Sequence, residues 1–207
     1  MADDDELPTD PTHLTPGYRR ALWIVVVLNV GYGIIEAVGG VLAGSQALQA
    51  DALDFLGDGT ITLLGLLAIG WQPVWRARSA LLQGVFLGVL GLWVLGSTAY
   101  RFVEGSAPEA GVMGLLGAVA LVVNLSAAAV LLPHRAGDAN VRAVWLFSRN
   151  DAIGNIAVVM AAVLVALTGT RWPDPAVAAV IASLFLQSSW SILRDARREL
   201  REGTPTG

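Results

Sequence analysis

Six long apolar segments constrain this chain more than any other feature of its sequence. They lie near residues 21–43, 48–71, 79–100, 111–132, 143–167 and 174–193, and the loops between them are short. Each has the roughly 20 residues that a helix needs to cross the hydrocarbon layer of a membrane. The apolar runs are continuous, unlike the roughly ten-residue alternating strands of a membrane barrel. We therefore predict an all-α membrane protein, a bundle of six transmembrane helices.

The composition agrees with this class, because 55% of the 207 residues are hydrophobic and only 14% are charged. Residues 1–19 are acidic and Pro-rich, and they lack the basic head and cleavage site of a signal peptide. We predict a disordered acidic tail over 1–19, the six-helix transmembrane domain over 20–193, and a short charged cytoplasmic tail over 194–207 that continues the last helix.

The arginines predict the orientation of the bundle. If both termini are cytoplasmic, ten Arg residues lie inside and only Arg101 and Arg171 lie outside. Cytoplasmic loops carry the excess of basic residues in membrane proteins. We therefore predict cytoplasmic N and C termini in an inner-membrane, multi-pass protein. Arg149 falls within the fifth segment and points away from its acidic face, so we expect it to extend toward the headgroups.

Three carboxylates, Asp51, Asp54 and Asp58, lie near the start of the second segment. Only 13 residues, from Gly59 to Trp71, follow Asp58, and they span about 20 Å of helix, less than a hydrocarbon core of roughly 30 Å. Asp54 and Asp58 are therefore expected inside the membrane, on one face of the helix with Asp51. Ionised side chains at that depth mark a cavity or an ion path. For Asp51 we favour a solvated position at the interface.

A second polar cluster, "WLFSRNDAIGN", lies in the fifth segment. Ser148, Asp151 and Asn155 share one face, and Phe147 lies on that face one turn before Asp151. Counted from opposite membrane surfaces, Asp58 is ~15 Å deep and Asp151 ~12 Å deep, so the two clusters are expected at one level. Converging carboxylates repel one another unless they are protonated or bridged by a cation. The alternative is a set of structural hydrogen bonds between helices.

Other polar residues and one glycine pattern are less specific. Glu36, Asn29 and Asn124 each lie alone in apolar runs, where hydrogen bonds between helices are the commoner role. The third segment carries a small face formed by Gly84, Gly88 and Gly91 and closed by Leu95, which allows another helix to approach closely. That helix belongs either to the same chain or to a second copy. Because the chain has no Cys, any metal site must use oxygen or nitrogen ligands.

The stretch "EAVGGVLAGSQALQADALDFLGD" resembles the first-to-second-helix signature of the cation diffusion facilitator family of divalent-metal transporters. The later stretch from "RNDAIGN" through the Asp-Pro before the last segment also resembles its fifth and sixth helices, and together the resemblance covers residues 20 to about 203. It implies a homodimer that exports divalent cations from the cytoplasm in exchange for protons. The matching ligand positions are Asp54, Asp58, Phe147 and Asp151.

Phe147 departs from the family pattern, because His or Asp usually stands there. "RND" followed by Asn155 looks more like the manganese branch than the zinc branch, and no span contains His to suit zinc. We therefore expect Asp54, Asp58, Asp151 and Asn155 as metal ligands, with Asp51, Ser148, Asn150 and Glu36 as accessory residues. The expected substrate is manganese, iron, cobalt or zinc, with preference for the first three. No fixed cofactor is expected.

The chain stops where many members carry a cytoplasmic metal-binding domain, so we expect dimerisation through the membrane helices. Two other functions remain open: a proton-coupled exporter of organic cations, for which Phe147 is the only hint, and a non-transporting, degenerate membrane subunit. Beyond the lipid bilayer, the transported divalent cations and protons, and a second copy, no partner is expected. Neither nucleic-acid binding nor enzymatic activity is predicted.

Overall fold

The computed structural model describes residues 16–68, 71–105, 107–132 and 139–202. Within these ranges, the side chains of Pro73, Glu104, residues 139–150 and Glu202 are not described. All regular structure in these ranges is helical, in six helices that we number in chain order: α1 (Pro16–Ala43), α2 (Gln46–Leu67), α3 (Pro73–Glu104), α4 (Ala110–Leu131), α5 (Ala139–Thr168) and α6 (Pro173–Glu202). The all-α prediction is confirmed.

The helices differ from the predicted segments mainly at their ends. α1 begins at Pro16, inside the predicted tail, and residues 1–15 of that tail lie outside the described part of the chain. α3 begins at Pro73, and α6 continues to Glu202. The extra turns all contain Arg, and those of α6 add Glu, Ala and Leu. These residues favour helix whether or not a membrane surrounds them.

Five of the described helices are long and apolar enough to cross a membrane: Pro16–Ala43, Val74–Val103, Ala110–Leu131, Asp151–Thr168 and Pro173–Arg201. Large apolar side chains cover their outward faces, among them Ile34, Leu82, Phe86, Trp93 and Leu184. The missing sixth helix is α2, which carries Asp51, Asp54 and Asp58. Its 22 residues span about 33 Å, enough for a hydrocarbon layer of roughly 30 Å.

α2 is the central helix of the bundle. It packs against each of the other five helices, and every residue from Gln46 to Leu53 is buried. Glycines bring α1 and α2 together, because a methyl group added at Gly59 would lie 2.6 Å from Val30 Cγ2, and one at Gly33 would lie 2.9 Å from Leu56 Cγ. The polar side chains of α2 therefore face protein in the half of the helix that begins at Gln46.

The glycine face of α3 packs against α6 of the same chain. A methyl group at Gly84 would lie 2.9 Å from Leu193 Cδ2, and one at Gly91 would lie 2.7 Å from Leu186 Cδ2. Between them, Ser189 Oγ donates a hydrogen bond to the carbonyl oxygen of Gly84 at 2.8 Å. Of the two alternatives that the sequence left open, the structure shows the intramolecular one.

One end of the bundle, which we call the capped end, is joined by polar contacts. It contains the α1–α2 turn, the α3–α4 loop and the α5–α6 loop. Gly44 makes the first turn with φ of +66°, a conformation that favours glycine, and Arg101 Nη1 donates to its carbonyl oxygen at 3.1 Å. Arg171 donates to the carbonyl oxygens of Val103 and Gly105. Both arginines assigned to the outside thus bind backbone carbonyls.

Candidate metal centre

The three carboxylates of α2 differ in exposure along the helix. Asp51, nearest the capped end, is only 3% exposed, whereas Asp54 and Asp58 are partly exposed. The spacing of three and four residues places all three on one helical face. The expectation that Asp51 sits in a solvated interface does not match its burial. Asp51 is enclosed because α2 begins inside a ring of five helices.

The structure brings the carboxylates of α2 and α5 together. The Asp151 carboxyl lies within hydrogen-bonding reach of both Asp54 and Asp58, and its side chain is partly exposed. Two helices that run in opposite directions therefore place three carboxyl groups at one level. Such a group can hold a cation or shared protons, because three adjacent negative charges would otherwise repel one another.

These carboxyls are not arranged around a common point. Across the described residues, no group of three or more His, Asp or Glu side chains is placed to hold a metal ion. A divalent cation needs about four to eight donor atoms at about 2.0 to 2.6 Å. Coordination would require that the carboxyls of Asp54, Asp58 and Asp151 turn from one another toward the ion.

Asn155 faces a different partner from the one expected. It is fully buried, and its amide, oriented by its hydrogen bonds, donates to Asp51 Oδ2 at 2.6 Å and Oδ1 at 3.0 Å. Its oxygen accepts a hydrogen bond from Asn124 Nδ2 at 2.8 Å. Asn155 therefore links Asp51 on α2 to Asn124 on α4, and both ends of its amide are occupied.

Glu36 lies beside this link, on α1. Its side chain has no exposed surface, and neither carboxyl oxygen accepts a hydrogen bond from the described N–H and O–H groups. The carboxyl of Asp51 lies within hydrogen-bonding reach of it. Tyr32, one turn earlier, donates its hydroxyl to the carbonyl oxygen of Leu116 instead. Glu36, Asp51, Asn155 and Asn124 form a second polar group, nearer the capped end.

Three positions of the predicted site, Phe147, Ser148 and Asn150, belong to α5 but have side chains outside the described part of the chain. The same holds for Arg149, which was expected to point away from the site.

Asp174 is a structural anchor that the sequence analysis missed. It lies in the first turn of α6 and is 2% exposed. It accepts hydrogen bonds from Ser45 Oγ at 2.5 Å, Gln46 N at 2.8 Å and Ala47 N at 3.1 Å. A carboxylate is stabilised at the positive N-terminus of a helix. Asp174 lies at the N-terminus of its own helix, α6, and its carboxylate also binds the N-terminus of α2. An acidic residue beside Pro signals the start of its own helix, but nothing local indicates that it also caps α2.

The fold and the site define a class: a helical membrane protein with a cluster of carboxylates enclosed by its own helices. The comparison with known families is in agreement, because residues 22–201 match the cation efflux transmembrane domain. The chain therefore belongs to this family of membrane transporters, and the resemblance to the cation diffusion facilitators is confirmed.

Characterised relatives match nearly the whole chain. A cadmium, cobalt and zinc/H(+)-K(+) antiporter of Bacillus velezensis is 30% identical over 93% of this chain and 66% of its own length. The zinc transporter ZitB of Escherichia coli is 31% identical over 90% of this chain and 64% of its own. The metal cation efflux system protein CzcD of Cupriavidus metallidurans is 28% identical over 91% and 64%. The chain thus spans slightly less than two thirds of the length of these relatives.

Proposed function

We propose that the protein exports a divalent metal cation from the cytoplasm, in exchange for protons, through a site formed by Asp54, Asp58 and Asp151. The observation that supports this most directly is the reach of the Asp151 carboxyl to both carboxyls of α2. Family membership supports the same function. So do the names of the relatives: a cadmium, cobalt and zinc/H(+)-K(+) antiporter, a zinc transporter and a metal cation efflux system protein.

Exposure supports entry of the cation from the end opposite the capped end. Asp54, Asp58 and Asp151 are partly exposed, whereas Glu36, Asp51 and Asn155 are buried. The largest apolar cluster, which includes Leu48, Val94, Met113 and Ala178, fills the capped half. A cation can therefore reach the three carboxyls from one side of the membrane and is blocked on the other. With the capped end outside, as the arginines predict, that side is the cytoplasm.

Proton exchange follows from the same oxygens. A cation that binds to Asp54, Asp58 and Asp151 takes the positions that protons would occupy on these carboxyls, so binding of one releases the other. Movement of the site between the two sides of the membrane then carries cations one way and protons the other. Asn155, with both amide ends engaged, is proposed to hold Asp51 in place and not to bind the metal.

The choice of metal is proposed from the donor atoms. Carboxylate oxygens suit manganese, iron and cobalt, whereas zinc sites usually include His or Cys. The name of the Bacillus velezensis antiporter gives cadmium, cobalt and zinc, and that of ZitB gives zinc. Cobalt is the metal that both the donor atoms and one of these names support. The proposed order for this chain is manganese, iron or cobalt before zinc.

The proposal includes six crossings and a homodimer in the inner membrane. α2 is long enough to cross, and only Gly44 and Ser45 separate it from α1. A homodimer would have to use a surface other than the glycine face of α3, because α6 already covers that face.

Transport by the purified chain in proteoliposomes tests the proposal. Uptake of manganese, iron, cobalt and zinc is followed together with internal pH, for the wild type, Asp58→Asn, Asp151→Asn and the control Asp195→Asn. Asp195 has a side chain that is 61% exposed, far from the site. We expect both site variants to lose at least tenfold in rate and the control to match the wild type.

Three results would count against parts of the proposal. Normal transport by Asp151→Asn would remove α5 from the site. Metal uptake without a change in internal pH would remove the proton exchange. Uptake of a lipophilic organic cation, with no uptake of any metal, would favour the rival exporter.

A further inference from the structure

Glu36 and Asp51 form a pair of buried carboxyl groups outside the proposed metal site. Glu36 is 0% exposed and Asp51 is 3% exposed, and the two carboxyls lie within hydrogen-bonding reach. Asp51 is seven residues before Asp58, which places it about 10 Å closer to the capped end. Burial of two charged carboxylates side by side is costly unless a positive charge lies between them.

The two carboxyls have different hydrogen-bond partners. Both oxygens of Asp51 accept from the amide nitrogen of Asn155, and such a donor favours the ionised form of a carboxyl. Neither oxygen of Glu36 accepts from the described N–H and O–H groups. A hydrogen bond between two carboxyls requires that one of them carries a proton. Glu36 is the member of the pair with no other donor to stabilise its ionised form.

Among the side chains that the structure describes, the groups around Glu36 supply no positive charge. The helices packed against α1 are chiefly α2 and α4. α4 contains no titratable residue, and the titratable groups that face Glu36 are Tyr32 on its own helix and Asp51 and Asp54 on α2. Tyr32 donates its hydroxyl to Leu116. The chain has no Lys, and Arg101 is bound to Gly44 at the capped end.

The pair is poorly suited to a metal, because no group of three or more candidate ligands is placed around it among the described residues. The oxygens of Glu36 accept from none of the described groups, and those of Asp51 already accept from the Asn155 amide. Each Asp51 oxygen keeps a second lone pair for one further hydrogen bond. Divalent cations take about four to eight donors. A proton needs only one donor oxygen and one acceptor oxygen.

We propose that Glu36 and Asp51 hold one proton between their carboxyl groups, with Glu36 as donor and Asp51 as acceptor, and so form a proton-binding site separate from the metal centre. This site is one helical turn from Asp54 on α2. During transport, the site would bind a proton that is exchanged for the metal cation; this role rests on the proposed function. The proton-binding site itself does not depend on transport.

Infrared spectroscopy of the full chain in lipid nanodiscs tests the site, because the C=O stretch of a protonated carboxyl is separate from the bands of carboxylates. The triple variant Asp54→Asn, Asp58→Asn, Asp151→Asn removes the carboxyls of the metal centre and is the background. We expect one buried carboxylic-acid band at neutral pH in this background. Adding Glu36→Gln should abolish the band, and adding Asp51→Asn should shift it, because the charged acceptor is lost.

Two results would overturn the proposal. The first is the absence of the band in the triple variant, with folding verified by size exclusion and circular dichroism. The second is a band that persists unchanged after Glu36→Gln. If potassium or sodium abolishes the band while choline does not, an alkali cation and not a proton occupies the pair, and the proposal fails in that form.

A second measurement separates this inference from the proposed function. Wild-type protein is loaded with saturating manganese or cobalt, and the Glu36 band should remain while protons are released from the other carboxyls. If no metal binds, the proposed function fails, but the band in the triple variant still decides the proton site. If metal binds and the Glu36 band disappears with it, the pair belongs to the metal centre and the inference is wrong.

Discussion

At the scale of single residues, one side-chain type performs different tasks according to its neighbours. Asp174 accepts hydrogen bonds from two backbone N–H groups and a hydroxyl, and Asp51 accepts from an amide. The carboxyls of Asp54 and Asp58 have the carboxyl of Asp151 within hydrogen-bonding reach. The carboxyls of Asp174 and Asp51 are satisfied by donors that the fold supplies, so they hold helices in place. The other three have no such donors from the rest of the described fold, and for this reason we propose them as the cation-binding carboxyls.

Asn155 provides a test of this distinction. Asn155→Ala would leave buried acceptors on Asp51 and a buried donor on Asn124 without partners, at a cost of about 3 kcal/mol. We expect the free energy of unfolding, measured by reversible denaturation in mixed micelles, to fall by about that amount. Ser126→Ala is the control, because Ser126 is exposed and bonds only within its own helix, and it should be nearly neutral. Equal effects would show that the Asn155 contacts contribute little.

Counting residues was enough to predict that Asp58 and Asp151 lie at one level, because the rise of a helix is the same in any sequence. It was not enough to predict the partner of Asn155. The spacing placed Asn155 on the face of Asp151, but the direction of its amide depends on Asn124, which reaches it from α4. Asp51 was expected near water for a similar reason, since its burial comes from helices that are distant in sequence.

At the scale of helices, α2 is positioned by contacts at its start and by glycines along its length. Ser45 is the N-cap residue of α2, and its side-chain oxygen accepts a hydrogen bond from Leu48 N at 3.1 Å. Asp174, on α6, accepts hydrogen bonds from the next N–H groups, those of Gln46 and Ala47. Gln46 adds a link to α3, where Ser97 Oγ donates to its side-chain oxygen at 2.7 Å. The carboxyls at Asp54 and Asp58 begin two turns further along the same rigid helix, so these contacts also set their positions.

Asp174→Ala should therefore weaken metal binding, although Asp174 does not contact the proposed metal site. The change leaves the N–H groups of Gln46 and Ala47 without an acceptor, and losing a helix cap costs about 1 to 2 kcal/mol. We expect a lower melting temperature and a weaker metal affinity by calorimetry. Ser45→Ala removes one hydrogen bond to Asp174 and also the cap on Leu48 N, so it should lower the melting temperature as well. Because Asp174 still binds Gln46 N and Ala47 N in this variant, the metal affinity should stay nearer that of the wild type. A normal affinity in a destabilised Asp174→Ala would limit the role of Asp174 to stability.

The contact between α3 and α6 gives a prediction with a control on the same helix. Gly91→Val places methyl groups against Leu186 and Phe185, whereas a side chain at Gly96 would meet nothing within 4 Å. Overpacking a close contact costs about 1 to 3 kcal/mol. We expect Gly91→Val to lower the melting temperature in detergent by several degrees more than Gly96→Val. Equal losses would show that the loss of glycine, and not the contact, is responsible.

The two ends of the chain differed in how well their helices were predicted. Hydropathy placed the first segment at 21–43, although α1 begins at Pro16. It placed the last segment at 174–193, and the charged tail was expected to continue the helix, as α6 does to Glu202. Nine more residues are helical because hydrogen bonding within a helix does not depend on the surrounding solvent. The glycine pattern of α3 predicted a close contact, but only the position of α6 decided which helix makes it.

At the scale of the whole molecule, the bundle has one end joined by hydrogen bonds and one end where most of the arginines lie. Glu109 N donates to the carbonyl oxygen of Ala43 at 2.9 Å, and the rings of Phe102 and Trp172 meet with their centroids 4.6 Å apart. All three connections at the capped end therefore contact one another. Movement at this end would require that several of these contacts separate together.

The orientation of the bundle can be measured directly because the chain has no Cys. We expect Thr170→Cys, at the capped end, to react with a membrane-impermeant maleimide on intact cells. Gln72→Cys, in the exposed α2–α3 loop at the opposite end, should react only after the membrane is permeabilised. Labelling of both positions from the same side would mean that α3, α4 and α5 do not all cross the membrane, and labelling in the reverse sense would invert the predicted topology.

The central place of α2 has a consequence for biosynthesis. A charged side chain at the middle of a lipid-exposed helix costs about 2.5 to 3.5 kcal/mol, and α2 carries three carboxylates. The residues that enclose or bind its polar face, Asp151 and Asn155 on α5 and Asp174 on α6, are synthesised only after α3 and α4. Release into lipid one helix at a time would therefore leave α2 poorly accommodated while the ribosome completes the chain. We therefore expect the first helical hairpin to stay in a water-accessible or protein-lined site of the insertion machinery, and to enter the lipid only after the last third of the chain has emerged.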